Sequence, residues 1–364
     1  MENNIPSFYR KILVTGGAGF IGSHFISRLL KKESIKIYNL DKLTYASNTS
    51  FIDNEIIQNK SLKDKNYKLI RIDLKDSKKV KETIKDIDPD CIINFAAESH
   101  VDRSIDNPEI FIESNILGTF NLLEAARIHW RNLPYQRAEK FIFHHISTDE
   151  VFGSLGQNGK FSENTAYDPR SPYSASKASS DHLVSSWFHT YDLPTLITNC
   201  SNNYGPWQFP EKLIPLVILK ALKNQSIPIY GDGKNIRDWL FVSDHIDALM
   251  LVLSKAKRGT KYCIGGNNEI TNLNLVKLIC SILNELNPND KPYEDLISFV
   301  DDRPGHDMRY SIDFSCIKRD FGWVPKTDIY TGIRNTVKWY MKNSDWCNSV
   351  LERSKYQLGR IGEI

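Results

Sequence analysis

Residues 11–22 read Lys-Ile-Leu-Val-Thr-Gly-Gly-Ala-Gly-Phe-Ile-Gly, and the reading of the fold begins there. The first five are mostly apolar and rich in β-branched residues, the pattern of a buried strand. Glycines follow at 16, 19 and 22, where a helical pattern opens. At that spacing they allow a tight turn, a close approach of backbone to a pyrophosphate, and close packing of the helix on the sheet. The helix N-terminus then offers unpaired N–H groups and a partial positive charge to phosphates. The spacing is G-x-x-G-x-x-G rather than G-x-G-x-x-G, and a glycine-rich turn alone could be only a turn. Context argues otherwise. A second strand-like run ends at Asp41, 19 residues beyond Gly22, where a carboxylate can grip the adenosine ribose hydroxyls and disfavour a 2′-phosphate. NAD rather than NADP is therefore the expected cofactor, held by Gly16, Gly19, Gly22 and Asp41. Asp73 ends the third run, where it either reaches the adenine edge or is an ordinary turn aspartate.

Outward from this loop, near-continuous apolar runs recur at 11–15, 36–40, 68–72, 91–97, 141–148 and 195–200, as expected of strands covered on both faces. Amphipathic stretches at 21–32, 77–87, 109–128 and 173–190 separate them, with two further helical patterns at 271–286 and 329–342. Repeated β-then-α order predicts an α/β fold with a doubly wound parallel sheet. The alternation loosens after about residue 200, where Pro, Gly and aromatic residues thicken. The expected division is a dinucleotide-binding domain over 1–200 with a returning segment at about 236–262. A smaller α/β C-terminal substrate-binding domain would take 201–235 and 263–345, leaving a C-terminal tail at 346–364.

Composition narrows the classes. The 364 residues carry 47 basic against 44 acidic side chains, too balanced a charge to build a strong field for nucleic acid or anionic lipid. The 41% hydrophobic content is too high for a disordered chain. The basic segment 60–85 lacks interleaved aromatics and reads as a solvated strand–helix surface. No run approaches the roughly 18 apolar residues of a membrane span, and the start has no apolar leader pattern. The six cysteines never fall in a C-x-x-C pair, which favours buried reduced thiols and a cytoplasmic location. No nucleic-acid partner, membrane partner or metal is expected.

Two later stretches carry chemistry. Ser171-Pro172-Tyr173-Ser174-Ala175-Ser176-Lys177 starts a helix with proline and puts Tyr173 and Lys177 on one face. A tyrosine is a poor base at its usual pKa of about 10, and a nearby ammonium with the nicotinamide charge would lower it. The lysine can also hold the nicotinamide ribose. Ser147-Thr148-Asp149-Glu150 follows the fifth run, at the strand end where doubly wound sheets bind substrates. Thr148 could bond a sugar oxygen beside Tyr173. Asp149 and Glu150 could divide the roles of acid and base if their environments separate their pKa values.

Together these residues resemble the extended short-chain dehydrogenase/reductases. Longer strings narrow the resemblance to the dTDP-glucose 4,6-dehydratase family: DKLTYA (41–46), AAESHVDRSI (96–105), STDEVFGSL (147–155), SPYSASKASSDHLV (171–184), NCSNNYGPWQFPEKLIP (199–215), PIYGDGKNIRDWLFVSDH (228–245) and DRPGHDMRY (302–310). The match runs nearly end to end. Phe152 replaces the usual tyrosine, His24 a frequent asparagine and Ser114 the usual threonine, which keeps its hydroxyl.

The resemblance implies a Rossmann-like fold, a homodimer formed through helices near 109–128 and 173–190, and dTDP-glucose as substrate. It implies that Tyr173 takes the proton of the carbon-4 hydroxyl while NAD accepts hydride. Glu150 then removes the carbon-5 proton, Asp149 protonates the departing carbon-6 hydroxyl, and hydride returns to carbon 6. Thr148 would hold the carbon-4 oxygen. On the cofactor side it adds Phe20, Ile21, Lys42, Leu43, Thr44 and Leu74. Phe95, Ala96, Ala97, Glu98, Ser99, Ser114 and Asn203 complete that set. Ser99 is also assigned to the sugar, and Asn202, Lys212, Leu213 and Arg237 to the sugar nucleotide, where an arginine suits a diphosphate. Pro228, Ile229, Tyr230 and Asn272 would enclose the nucleoside with Asp302, Arg303, Pro304, Gly305 and His306. The competing readings are pairing of Arg237 with Asp238, a core position for Tyr230 and simple packing for His100. A product of this kind would enter deoxysugar biosynthesis, such as that of dTDP-rhamnose. Rival readings are a 4-epimerase, which has no need for the Asp149–Glu150 couple, and a non-catalytic NAD-sensing or scaffold protein, which has no use for all five reactive residues.

Overall fold

In the computed structural model, which describes residues 5–32, 34–58, 66–356 and 358, the six apolar runs become β1 (Lys11–Thr15), β2 (Lys36–Asp41), β3 (Tyr67–Arg71), β4 (Cys91–Asn94), β5 (Ile142–Thr148) and β6 (Thr195–Cys200). Among the described residues six further strands follow: β7 (Asn202–Tyr204), β8 (Ile227–Tyr230), β9 (Ile236–Phe241), β10 (Lys261–Ile264), β11 (Glu269–Thr271) and β12 (Ile297–Val300). Seven of the twelve form one sheet in the order β10-β6-β5-β4-β1-β2-β3, and every pairing in it is parallel. Alternate residues serve opposite layers. Ile12, Val14 and Ile93 pack with Phe25, Ile26 and Leu249 on one face, while Leu13, Ile92 and Phe143 pack with Val80, Ile84 and Leu122 on the other. This two-sided burial is why the strands read as continuous apolar runs.

The strand order reverses between β1 and β4, which opens a crevice beyond their carboxyl ends. The fourth run pairs only through Asn94. Phe95 to Ser99 leave the sheet there and become the wall of that crevice. The stretch expected as one helix over 109–128 is a continuous helical run with a wide π turn at Ile112–Leu117 between Pro108–Phe111 and Gly118–Arg131. Asn115 in this turn is buried. It donates to Glu98 O (3.0 Å) and Ser176 Oγ (2.8 Å) and accepts from Glu98 N (2.8 Å), joining the crevice wall to the helix Pro172–Tyr191.

The rest of the chain builds a second core. Three strands pair in the order β11-β9-β7 and two as β12-β8. Helices Leu213–Leu222, Asn272–Leu286, Ile329–Lys342 and Ser344–Ser354 pack around them. Within 236–262, β9 belongs to the three-stranded sheet, whereas the helix Val242–Lys255 packs on Phe20–Leu30 and leads to β10 of the large sheet. All six cysteines are unpaired thiols, five of them buried. Residues 60–65 of the basic segment, and 357 and 359–364 of the tail, lie outside the described residues. Among the described residues no helix is long and apolar enough to cross a membrane.

Candidate active site

The glycine loop leaves β1 at Thr15 and enters the helix Phe20–Leu30. Gly16 has φ +67°, and a Cβ on it would lie 2.6 Å from Ala96 N. A Cβ on Gly22 would lie 2.5 Å from Gly16 O, whereas one on Gly19 would meet only that same oxygen, at 3.2 Å. Two glycines thus permit backbone contact, and the third leaves the approach to the helix end open. No side chain caps this helix and no acid sits in its first turn, so its leading N–H groups remain for an anion. Asp41 is oriented by Ala18 N (3.0 Å), Leu43 N (2.8 Å) and Ser47 Oγ (3.1 Å). Lys42 joins two other expected cofactor residues, donating to Ser114 Oγ (2.8 Å) and pairing with Glu98 (3.0 Å).

The helix Pro172–Tyr191 is fixed at its start by a capping box between Ser171 and Ser174, with proline at its first position. Its face carrying Tyr173 and Lys177 turns to the ends of β5 and β6. Lys177 donates to Ile146 O (2.9 Å), and burial lowers its pKa. Tyr173 departs from the expected direction. Burial pushes its phenol well above the ordinary range and Glu150 adds to this, while the hydrogen-bonded Thr148 hydroxyl opposes them. Burial and the neighbouring Glu150 carboxyl thus set the direction of the shift at Tyr173, opposite to the lowering expected from the sequence.

Glu150 and Asp149 sit in the short turn Asp149–Phe152 after β5. Glu150 lines the crevice. Burial raises its pKa, and the cations of Arg303, Arg237 and Lys212 hold it down. Asp149 does not line the crevice. It is buried, Oδ1 accepts from Thr148 Oγ1 (3.2 Å), and Oδ2 has no hydrogen-bond partner among the described residues. Burial, with Glu150 adding to it, raises the Asp149 carboxyl well above the usual range. Two adjacent carboxyl groups therefore occupy different environments, Glu150 on the cavity and Asp149 buried off its lining.

Across the crevice, Lys212 donates to Ser99 O (2.7 Å). Arg237 donates to Asp307 O (2.9 Å) and lies 4.2 Å from the Tyr310 ring. It does not pair with Asp238, which accepts from Gly266 N and Asn268 N instead. Tyr230 is half-buried on the crevice, not in the core, and donates to Asp102 Oδ2 (2.8 Å). The other oxygen of Asp102 pairs with Arg303 (2.6 Å).

One cavity of about 470 Å³ runs from the glycine loop to Tyr230 and His306. It brings together most of the residues singled out from the sequence. Leu43, Asp149, Asp302, Pro304 and Gly305 do not line it. Leu43 acts through its N–H on Asp41, and Asp302 through its bond to His306 Nδ1 (2.6 Å). Pro304 and Gly305 form the turn between Arg303 and His306. His100 does line the cavity, and burial lowers its pKa to about 3. Asp102, Glu211, Phe209, Cys200 and Tyr356 line it too, with no local signal to single them out. Asp102 lies inside the string 96–105, and Tyr356 arrives from the tail.

A family model described as GDP-mannose 4,6 dehydratase matches residues 13–336. A dTDP-glucose 4,6-dehydratase of Neisseria meningitidis serogroup B is 52% identical over 359 residues, covering 97% of this chain and 99% of the relative. The crystal structure of dTDP-glucose 4,6-dehydratase from Bacillus anthracis in complex with NAD superposes with a TM-score of 0.81 at 41% identity, covering 94% of this chain and 99% of the other. The Streptomyces venezuelae dTDP-glucose 4,6-dehydratase structure with NAD and TYD bound gives 0.83 at 38% identity, over 93% and 99%. With a parallel sheet, and with a glycine loop, a Tyr–Lys face and Glu150 meeting in one cavity, the chain belongs to the dTDP-glucose 4,6-dehydratase family of extended short-chain dehydrogenase/reductases.

Proposed function

We propose that this chain converts dTDP-glucose into dTDP-4-dehydro-6-deoxyglucose, with NAD as an internal redox partner and net release of water. The observation that carries the reading is the Asp149–Glu150 couple, one carboxyl on the cavity near Tyr173 and the other buried off its lining, where burial raises its pKa well above the usual range. The residues present fit NAD: the uncapped helix end and open Gly19 suit a pyrophosphate, and Asp41 suits a ribose. Gly16, Gly19, Gly22, Asp41, Ser114 and Lys177 would hold it. When bound, NAD supplies the hydride acceptor at carbon 4 and the donor at carbon 6.

The chain's own groups move the protons. Thr148 orients the carbon-4 hydroxyl, and Tyr173 removes its proton, with Lys177 stabilising the phenolate. The ketone at carbon 4 acidifies the hydrogen on carbon 5, which Glu150 takes. Asp149 is assigned the proton for the departing carbon-6 hydroxyl, which a side-chain rotation towards the cavity would deliver. Lys212, Arg237 and Arg303 serve the diphosphate end, and Tyr230 offers its ring to the base. The large sheet with the first six strands takes the cofactor, and the strands and helices after residue 200 take the sugar nucleotide. We further assign a cytoplasmic location.

Incubation of the purified protein with dTDP-glucose is expected to give a 4-keto-6-deoxy product, read by its alkali-induced absorbance. Formation of dTDP-galactose without keto sugar would replace the assignment with an epimerase. The pH profile tests the base. Glu150 acts unprotonated, and its raised pKa moves the loss of kcat/KM to higher pH on acidification. The acid limb is expected above the free-glutamate value of about 4.3. A limb at or below that value removes Glu150 from the role.

A homodimer is supported by an apolar surface along the run 108–131, where Ile110, Ile112, Leu117, Phe120 and Ile128 are exposed. Phe120 meets Trp187 of the helix Pro172–Tyr191 edge to face, 5.9 Å between centroids. Phe120→Glu is expected to halve the mass seen by light scattering after size exclusion. A mass equal to that of the wild-type protein would place the contact elsewhere.

A further inference from the structure

Tyr173, Lys177 and Asp181 succeed one another at intervals of four along the helix Pro172–Tyr191, so they share a face. Lys177 and Asp181 are only 4% and 1% exposed. A buried ammonium without a counter-charge tends to lose its proton. Between the two side chains lies His145 of β5, its Nε2 3.5 Å from Lys177 Nζ and 3.3 Å from Asp181 Oδ1. The tautomer follows from a chain of bonds. Thr15 Oγ1 accepts from Ala96 N (3.4 Å) and donates to Asn94 Oδ1 (2.6 Å). The Asn94 amide therefore donates to His145 Nδ1 (3.0 Å), and the ring proton sits on Nε2, facing Asp181. Burial lowers His145 to about 4, which keeps the ring neutral. Asp181 Oδ2 accepts from Ser147 Oγ, Tyr167 OH and Asn199 Nδ2, each at 2.9 Å. Three donors on one oxygen and the imidazole beside the other hold this carboxyl as an anion.

We propose that Asp181 is the fixed counter-anion of Lys177, with neutral His145 as the spacer between them, and that it keeps the lysine charged at the pH where Tyr173 works. Asp181 is then a positioning residue, acting through Lys177 without touching substrate or cofactor. The role rests on the catalytic reading given above for Tyr173 and Lys177. Other groups around the lysine do not supply that charge. Cys200 on β6 is a buried thiol with its pKa pushed up to about 12. Asp149 and Glu150, on the turn after β5, act on Tyr173. The helix Val101–Asp106 brings Ser104 to Tyr173 N, and the π turn brings Asn115 to Ser176. Pro108–Phe111 brings Phe111 to Tyr173. Helix Gly118–Arg131 meets this helix through Glu124, which is bonded to Trp187 and paired with Arg127. Consistent with the geometry, Asp181 raises the Lys177 pKa against burial, and Lys177 helps to lower that of Asp181.

Asp181→Asn keeps the shape and removes the charge. The alkaline limb of its kcat profile is expected about one to three pH units lower than in the wild-type protein. A folded variant with an unmoved limb overturns the proposal. A stability cycle asks the same question without turnover. Lys177→Met and Asp181→Asn are each expected to lower the thermal midpoint, and the double variant to recover part of the loss. Strictly additive losses overturn the proposal. If the Asp181→Asn protein does not fold, the double variant decides: a folded double variant supports the pairing, and an unfolded one overturns it. A wild-type protein inert towards dTDP-glucose would sink the catalytic reading while leaving this cycle to judge the counter-anion alone.

Discussion

Glu150→Gln is expected to lower kcat by about 10²–10⁴-fold, the usual worth of a positioned general base, while the purified protein retains its NAD. Glutamine matches the shape of glutamate but cannot take the carbon-5 proton. Glu150 lines the cavity, so the change puts no new volume into the core. It also removes a negative charge among Arg303, Arg237 and Lys212, which lets the diphosphate compete less with a carboxylate. The KM for dTDP-glucose should therefore stay level or fall as kcat collapses. Stopped assays of keto product, with NAD measured after denaturing the protein, check both halves. Turnover within a few-fold of the wild-type value would remove the assigned base.

Gly16→Ala is expected to strip the protein of NAD and to lower its thermal midpoint. The residue has φ +67°, and the added Cβ would lie 2.6–2.8 Å from Ala96 N, Ala96 Cα and Phe95 C. These are backbone atoms, so no flexible side chain can move aside. Strain at positive φ costs about 1–3 kcal/mol, and overpacking adds a similar amount. The midpoint should fall by roughly 3–8 °C. Relief requires the 95–99 segment to retreat from β1, and that segment is a wall of the cavity. Gly156→Ala is the control, because nothing lies within 4 Å of its added Cβ; both its NAD content and its midpoint should match the wild-type values. Full NAD content in the Gly16→Ala protein would show that the loop does not need this close approach.

The central sheet was legible because its signals are local. Continuous apolar runs mark strands buried on both faces, and β1 and β6 coincide with the runs at 11–15 and 195–200. The smaller strands β7 to β12 were not legible. Five of them have only three or four residues, and pairing across long separations leaves no periodicity to read, as with β8 and β12, some 70 residues apart. The π turn at 112–117 was hidden for another reason. Its apolar spacing passes for an ordinary helix, and only the burial of Asn115 against Glu98 and Ser176 shows what the wide turn accomplishes.

By itself the sequence determined the fold class, the dinucleotide loop, the Tyr173–Lys177 face and the Thr148–Asp149–Glu150 group, because each is a short pattern set by local stereochemistry. Tertiary structure alone decided how those groups are tuned. It placed Glu150 on the cavity and Asp149 off its lining, although the two are neighbours in the chain. It set the burial that raises Tyr173, joined Tyr230 and Arg303 on Asp102, and set His145 between Lys177 and Asp181. Desolvation and charge pairing depend on what surrounds a group in space, and residues up to 201 positions apart supply those surroundings.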